Sequence, residues 1–197
     1  MSNTTSKKPK VKLIRIVCLA NSRKISGRCI AGKEVGAQKW IRPVSGRINE
    51  EISEEDYRFK NGEMPVALDI LRIAVIGAKP NFYQTENVLI DDKYYWHKEG
   101  VYSKCDLIKI IDKPESLWGN GYSSYYGEND RIPAKNMVGT SESLYLITPS
   151  TLEIHVQEEG REFGNGKRKV RAKFIYRMEL LMKRFTYFLS LLLLINM

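Results

Sequence analysis

Cysteine and histidine are scarce in this chain of 197 residues, which contains three cysteines and two histidines. Cys18, Cys29 and Cys105 are odd in number, and their spacings match neither a zinc motif nor a disulfide framework. His97 and His155 are each isolated along the chain and suggest no ligand cluster. We therefore expect no metal site and reduced thiols, which predicts a cytoplasmic protein.

Long apolar runs are also missing. No uncharged apolar stretch reaches the roughly 20 residues of a membrane span. Residues 1–10 are polar and basic, which predicts a disordered basic arm rather than a signal peptide. Gly-rich phosphate loops, nucleophile elbows and HExxH motifs are absent from the sequence. These absences argue against a membrane partner, a small-molecule substrate, a cofactor and the common classes of enzyme.

Acidic residues are rare at both ends of the sequence. Residues 1–48 hold 12 Lys and Arg but one acid, and residues 161–184 hold nine bases and two acids. The segment 49–160 has 20 acids and 11 bases, within a formal net charge of +9 for the chain. This distribution favours a polyanionic partner, above all nucleic acid. The alternative is that the charge runs are solvated faces without a partner.

Short apolar runs separated by Gly, Pro, Asn and Ser predict an all-β protein with minor helix. The expected helical segments are 105–118, shortened by Pro114, and 50–57. The expected strands are Leu13–Ala20, Gly27–Ala31, Lys39–Val44, Val66–Ile76, Asn87–Ile90, Leu144–Thr148, Leu152–Gln157 and Lys167–Tyr176.

Two basic segments near the start are candidate contacts for nucleic acid. The first is a predicted hairpin whose turn offers amide, hydroxyl and cationic donors for phosphate: Asn21, Ser22, Arg23, Lys24 and Arg28. The second is a strand on which Lys39, Trp40 and Arg42 interleave, so that a base could stack on Trp40 while Arg42 neutralises a phosphate. An ordinary hairpin and a Trp40 anchored in the core are the alternatives.

Two further segments complete the candidate site. A strand over 168–176 alternates apolar residues with Lys169, Arg171 and Lys173, which predicts one basic face. A loop over 118–131 is rich in Gly, Ser and aromatic residues and suits the reception of bases. Its candidate contacts are Tyr122, Tyr125, Tyr126 and Arg131, unless the tyrosines fold back onto a sheet.

Glu128 and Asp130 in the same loop suggest an alternative function. Two acids at this spacing, next to Arg131, could ligate a divalent cation in a metal-dependent nuclease. No third acidic or histidine partner is marked by spacing, so we expect no catalytic residues. A third alternative is a protein-interaction module in which the acidic middle segment docks a partner.

The segments 18–24 (CLANSRK), 27–32 (GRCIAG) and 40–45 (WIRPVS) resemble a family of little-characterised bacterial proteins, the dual OB-containing domain. The likeness extends through 65–73, 84–91, 117–119, 129–132 and 143–147, and so covers most of residues 11–176. The resemblance implies two abutting OB-like barrels and suggests nucleic-acid binding. It assigns no catalytic residues.

The resemblance sets the expected domain organisation. It implies a first barrel over 11–100 and a second over 101–176. An apolar tail over 177–197 follows them in the sequence. The tail departs from the expected strand and turn, because a Leu-rich run follows Tyr176. Three interpretations stay open for it: a buried helix, a membrane-touching segment, or an end that is out of frame or truncated. The expected function is a module that binds single-stranded or structured nucleic acid, with a protein partner also conceivable.

Overall fold

The computed structural model describes residues 11–24, 27–115, 117, 121–137, 143–178 and 181–188. The chain divides into two compact units, Met1–Cys105 and Asp106–Met197. The basic arm expected over 1–10 lies outside the described residues, as do 189–197 of the apolar tail. The expected division near residue 100 stays a prediction.

The first unit contains a closed barrel of five strands. These are β1 (Lys12–Lys24), β2 (Gly27–Glu34), β3 (Trp40–Val44), β4 (Asp69–Ala78) and β5 (Asn87–Ile90). Their order is β1-β2-β3-β5-β4, and β4 pairs back with β1 to close the barrel. The β3 and β5 pair is parallel, and the other pairs are antiparallel. A sixth strand, β6 (His97–Val101), extends the sheet from β4.

Alternating apolar side chains fill the barrel. Ile14, Ile16 and Cys18 on β1 lie on one face of the strand, and all three are buried in one cluster. The rest of this cluster comes from the other strands and from the segments between them: Ile30, Ile41, Ile52, Tyr57, Phe59, Leu71, Ile73, Val75, Ile90 and Trp96. The alternation predicted from the sequence therefore becomes the barrel core.

A short helix, α1 (Glu54–Tyr57), lies between β3 and β4. Asp56 accepts a hydrogen bond from the Ser53 amide at 2.8 Å and forms a 2.5 Å ion pair with Arg47. Tyr57 enters the core and meets Trp96 edge to face, with ring centroids 6.4 Å apart. The helix thus joins the β3–β4 connection to the barrel core, within the segment where a helical turn was predicted.

Two glycines allow backbone to approach backbone in the barrel. The register of β1 against β2 shifts between Cys18 and Ala20, and Gly32 pairs with Cys18 at that irregularity. A Cβ on Gly32 would lie 2.0 Å from the Val17 carbonyl oxygen. A Cβ on Gly27 would lie 2.4 Å from the Ile52 carbonyl oxygen. No side chain fits at either position without movement of the neighbouring strand or loop.

The second unit contains a sheet of three antiparallel strands in the order β7-β8-β9. They are β7 (Thr151–Glu159), β8 (Lys167–Met178) and β9 (Leu181–Phe188). Short 3₁₀ helices occur at Lys104–Ile110, Ala134–Met137 and Arg161–Phe163. Ala172 and Phe174 are buried against Leu117 and Ile147, with Tyr145, Leu152 and Tyr176 packed around them.

Most of the predicted strands are present, and the differences are local. The helix expected over 105–118 is a 3₁₀ helix that ends at Ile110, before Pro114. Residues 144–148 are irregular rather than a strand, whereas β6 was not predicted. Residues 181–188 pair with β8 as a strand rather than the helix that one interpretation expected. The second barrel stays a prediction. No helix among the described residues is long and apolar enough to cross a membrane.

We predict that Gly32→Ala lowers the free energy of unfolding by about 1 to 3 kcal/mol, because the new methyl group collides with the β1 backbone. Gly77→Ala on β4 is the matched control, since no atom lies within 4 Å of the corresponding Cβ position. Its free energy of unfolding should change by no more than about 0.5 kcal/mol. Urea denaturation measures both variants, and equal losses would contradict the packing argument.

Candidate functional site

The turn end of the β1–β2 hairpin carries a pair of arginines. Arg23 on β1 pairs directly with Arg28 on β2, so both side chains lie on the same face of the hairpin. Arg23 is exposed and Arg28 is half-buried. Among the described residues neither guanidinium forms an ion pair. Lys24 pairs with Gly27 through the backbone, and its side chain lies outside the described part.

Asn21 and Ser22, which were predicted to contact phosphate, are used within the unit itself. The Asn21 amide donates to the Pro65 carbonyl oxygen at 2.8 Å, and the Ser22 hydroxyl donates to the Cys29 carbonyl oxygen at 3.5 Å. Both residues are half-buried. These contacts connect the hairpin to the β3–β4 connection and to its own second strand, so they position the two arginines.

Two cations on β2 and β3, Lys33 and Arg42, are buried although they lie on the face that points away from the barrel core. Trp40 pairs with Lys33, whose ammonium group lies 5.5 Å from the centre of the indole ring. Lys33 is only 1% exposed. Lys33 was not predicted from the sequence, because its contact with Trp40 arises from the pairing of β2 with β3 and not from spacing along the chain.

Arg42 lies on the same outward face as Trp40, as predicted, but it is also buried. Its guanidinium forms a 2.8 Å ion pair with Glu86, and both side chains are at most 10% exposed. The combination expected from the sequence, a stacking Trp40 beside a free Arg42, is therefore not the arrangement observed. Lys39, just before β3, is exposed.

Acidic and polar residues of β7 lie across from the basic face predicted for β8. Lys173 pairs across the strands with Glu153, and Lys169 pairs with Gln157. Both lysines are half-buried. Arg171 is buried, and its guanidinium contacts two carboxylates, those of Glu159 and Asp130.

Arg171 connects the β7–β8 hairpin to the aromatic loop. Its hydrogen bond to Glu159 lowers the pKa of that carboxyl group. Burial works to raise the pKa of Asp130, but hydrogen bonds from Ser124 and then Arg171 outweigh this effect and lower that pKa. Asp130 also accepts from the Ser124 amide at 2.6 Å and from the Ser124 hydroxyl. The three charged groups therefore form one ionised cluster.

The acid pair considered for metal binding is divided by this cluster. Asp130 contacts Arg171 and Ser124, whereas Glu128 is exposed. The described residues contain no group of three or more His, Cys, Asp or Glu side chains placed to hold a metal ion. Among the thiols, burial and then the charge of Asp69 raise the pKa of Cys18 to about 12. Cys18 is thus a protonated core side chain.

Two of the predicted loop residues lie beside an open cavity of ≈ 610 Å³ in the second unit. Tyr122 and Arg131 line it, and the Arg131 amide donates to the Tyr122 carbonyl oxygen at 3.2 Å. Both side chains are exposed. The pairing predicted from composition, an aromatic ring with a cation, is thus brought together by the loop.

The remaining aromatic residues of the loop face the β7–β8 turn. Tyr125 is 77% exposed and meets Tyr126 and Phe163 edge to face. The Tyr126 hydroxyl accepts a hydrogen bond from the Gly160 amide at 2.9 Å. Sequence reasoning missed Phe163, since nothing in its local sequence indicates that it lies beside a loop almost 40 residues earlier in the chain.

The loop between β4 and β5 in the first unit carries a second aromatic pair that was not predicted. Phe82 is 59% exposed and lies edge to face with Tyr83, with ring centroids 5.3 Å apart. Lys79 in the same loop forms a 3.3 Å ion pair with Glu50 and donates to the Ser45 carbonyl oxygen at 3.0 Å. These contacts hold the base of the loop against the β3–β4 connection.

Comparison with known proteins identifies one family. The sequence model described as the dual OB-containing domain matches residues 14–187. The matched region includes the five strands of the barrel, apart from the first two residues of β1, and most of β9. Comparisons with curated proteins and with solved structures find no match. A closed five-stranded barrel with extra strands, and a match over most of the sequence, show that this chain belongs to the dual OB-containing domain family.

Proposed function

We propose that this protein is a nucleic-acid-binding module and that the end of its β1–β2 hairpin contacts the phosphate backbone. The observation that carries the proposal is the direct cross-strand pairing of Arg23 with Arg28. Like charges directly opposite each other on a sheet destabilise it. A phosphate group between the two guanidiniums would remove that repulsion and accept charge-assisted hydrogen bonds from both.

A second arginine pair in the same barrel provides an internal comparison. Arg15 on β1 pairs directly with Arg72 on β4. There the carboxylate of Glu99 lies between them, at 2.5 Å from Arg15 and 3.5 Å from Arg72. The fold thus neutralises one cross-strand arginine pair with its own acid, whereas among the described residues the two guanidiniums at the hairpin end form no ion pair. A bound anion would neutralise Arg23 and Arg28 in the way that Glu99 neutralises Arg15 and Arg72.

The aromatic residues of the β4–β5 loop extend this surface within the first unit. OB folds bind oligonucleotides with the face of their second and third strands and with the loops β1–β2 and β4–β5. In this chain the strand face is occupied, because Lys33 is 1% and Arg42 is 9% exposed. The two loops remain, one with exposed Arg23 and the other with exposed Phe82. Binding by these loops combines phosphate contact with base stacking.

The same proposal assigns structural roles to several predicted contacts. Arg42 and Arg171 each form buried ion pairs with carboxylates. Removing one partner of such a pair leaves an uncompensated buried charge, which costs about 3 to 5 kcal/mol. These arginines therefore stabilise the two units rather than bind phosphate. We propose no catalytic step, since Asp130 is held by Ser124 and Arg171.

The proposal predicts that replacing Arg23 and Arg28 together by Ala weakens nucleic-acid binding and reduces its salt dependence. Losing two phosphate contacts should reduce the slope of log affinity against log salt by about 1.4 for single strands and about 1.8 for duplex. Fluorescence anisotropy with labelled single-stranded DNA, single-stranded RNA and duplex at several salt concentrations measures this slope.

The double variant Arg15→Ala with Arg72→Ala is the matched control. It removes the same formal charge from a cross-strand pair on the same barrel, but its arginines already contact Glu99. Its salt slope should stay close to that of the unchanged protein. Equal slopes for the two double variants would show that only net charge matters, and no binding at low salt would refute the proposal.

A further prediction separates packing from stacking at Trp40. Because Trp40 is half-buried beneath the Lys33 ammonium group, Trp40→Ala should cost about 2 to 4 kcal/mol of stability. Trp40→Phe retains an aromatic face for Lys33 and should recover much of that loss. Thermal unfolding measures both. A stable Trp40→Ala variant that no longer binds nucleic acid would instead establish Trp40 as a stacking platform.

A further inference from the structure

Two exposed aromatic rings meet at one end of the β7–β8 hairpin. Tyr125 is 77% exposed and Phe163 is 63% exposed, although their ring centroids are only 5.6 Å apart. Their planes form an angle of 77°, so the edge of one ring meets the face of the other. Contiguous exposed apolar surface is typical of interaction sites.

The ring of Tyr125 is held in place by its neighbour. Tyr126 contacts it edge to face, with centroids 4.9 Å apart. The Tyr126 hydroxyl accepts from the Gly160 amide at 2.9 Å and donates to the carboxylate of Glu162. Gly160 and Glu162 both belong to the β7–β8 turn. The aromatic loop and the turn that carries Phe163 are therefore connected directly.

The loop is also fixed at its base. Asp130 contacts Ser124 within the loop and Arg171 on β8, and Arg171 contacts Glu159 on β7. The Asn129 side chain accepts from the Gly121 amide at 2.8 Å. These contacts hold the loop in a conformation that already presents Tyr125. Binding to a preorganised surface avoids much of the ordering cost that a flexible loop would incur.

Two cations at this end of the hairpin are available to an anionic ligand. The acids of the turn are engaged, since Glu158 forms a 3.0 Å ion pair with Arg161 and Glu162 accepts from Tyr126. Lys167 and Arg168, at the start of β8, are exposed. They pair across the strands with Glu159 and Glu158, but those carboxylates contact Arg171 and Arg161 instead. Among the described residues these two cations form no ion pair. A pair of aromatic rings thus lies on the same hairpin end as two available cations.

We propose that Tyr125 and Phe163 receive an unpaired base of single-stranded nucleic acid, with Lys167 and Arg168 contacting the flanking phosphates. This inference rests on the proposed nucleic-acid binding and adds a second contact surface, on the second unit. Stacking on aromatic side chains requires the face of a base, which a duplex hides between neighbouring base pairs. The surface therefore selects single strands over duplex.

The test compares the full chain with the double variant Tyr125→Ala and Phe163→Ala. Anisotropy is measured with a labelled oligothymidine and with a labelled duplex of the same length. Loss of stacking should weaken single-strand binding by roughly tenfold, within the range for one stacked base, and leave duplex binding unchanged. Tyr94→Ala with Tyr95→Ala, which removes two exposed aromatic rings elsewhere, is the control and should change neither.

A second variant guards against misfolding. Tyr125→Leu with Phe163→Leu keeps apolar side chains at both positions but removes the aromatic rings, so it should bind oligothymidine as weakly as the alanine variant. Thermal unfolding of both variants should match that of the unchanged protein, since both side chains are exposed.

The outcomes separate the two proposals. If the unchanged protein binds neither probe, both proposals fail. If it binds oligothymidine and the two variants bind equally well, the hairpin of the first unit can still be the interface, and the inference about Tyr125 and Phe163 is wrong. The inference is also wrong if the two variants bind oligothymidine as the unchanged protein does but differ from it in self-association by size-exclusion chromatography, because the rings would then form a contact between protein molecules.

Discussion

Closure of the first barrel depends on one strand with two sets of partners. Residues 12–17 of β1 pair with β4, whereas residues 16–24 pair with β2. To serve both neighbours β1 must bend, and its register shifts between Cys18 and Ala20, where Gly32 lets the backbones approach. Beyond Val17, β1 pairs with β2 and no longer with β4, and this part of the strand forms the hairpin that presents Arg23.

The use of each arginine is decided by the carboxylates around it. Arg42 and Arg171 are buried because Glu86 and Glu159 compensate their charge. The pair of Arg15 and Arg72 shares Glu99, whereas among the described residues the pair at the hairpin end forms no ion pair. Cations that look alike in the sequence thus divide into those that stabilise the fold and those free to contact an anion.

Both proposed surfaces lie where a hairpin ends, and each combines a rigid support with exposed side chains. In the first unit the Asn21 amide anchors the β1–β2 hairpin to the Pro65 carbonyl group. In the second unit the cluster around Arg171 and the Tyr126 hydroxyl holds the loop that carries Tyr125. Buried polar contacts in each unit restrict motion of the groups offered to a ligand, which favours binding by lowering its entropic cost.

The sequence by itself determined the strand-rich class and the segment of most barrel strands, because period-two alternation and turn residues are local signals. It also located the basic hairpin, the aromatic loop and the family. Only the tertiary structure decided which side chains are available. Lys33 is buried over Trp40, Arg42 forms an ion pair with Glu86, and Phe163 contacts Tyr125. Each of these pairs joins different strands or loops, and such contacts depend on strand register and chain closure, which residue spacing does not encode.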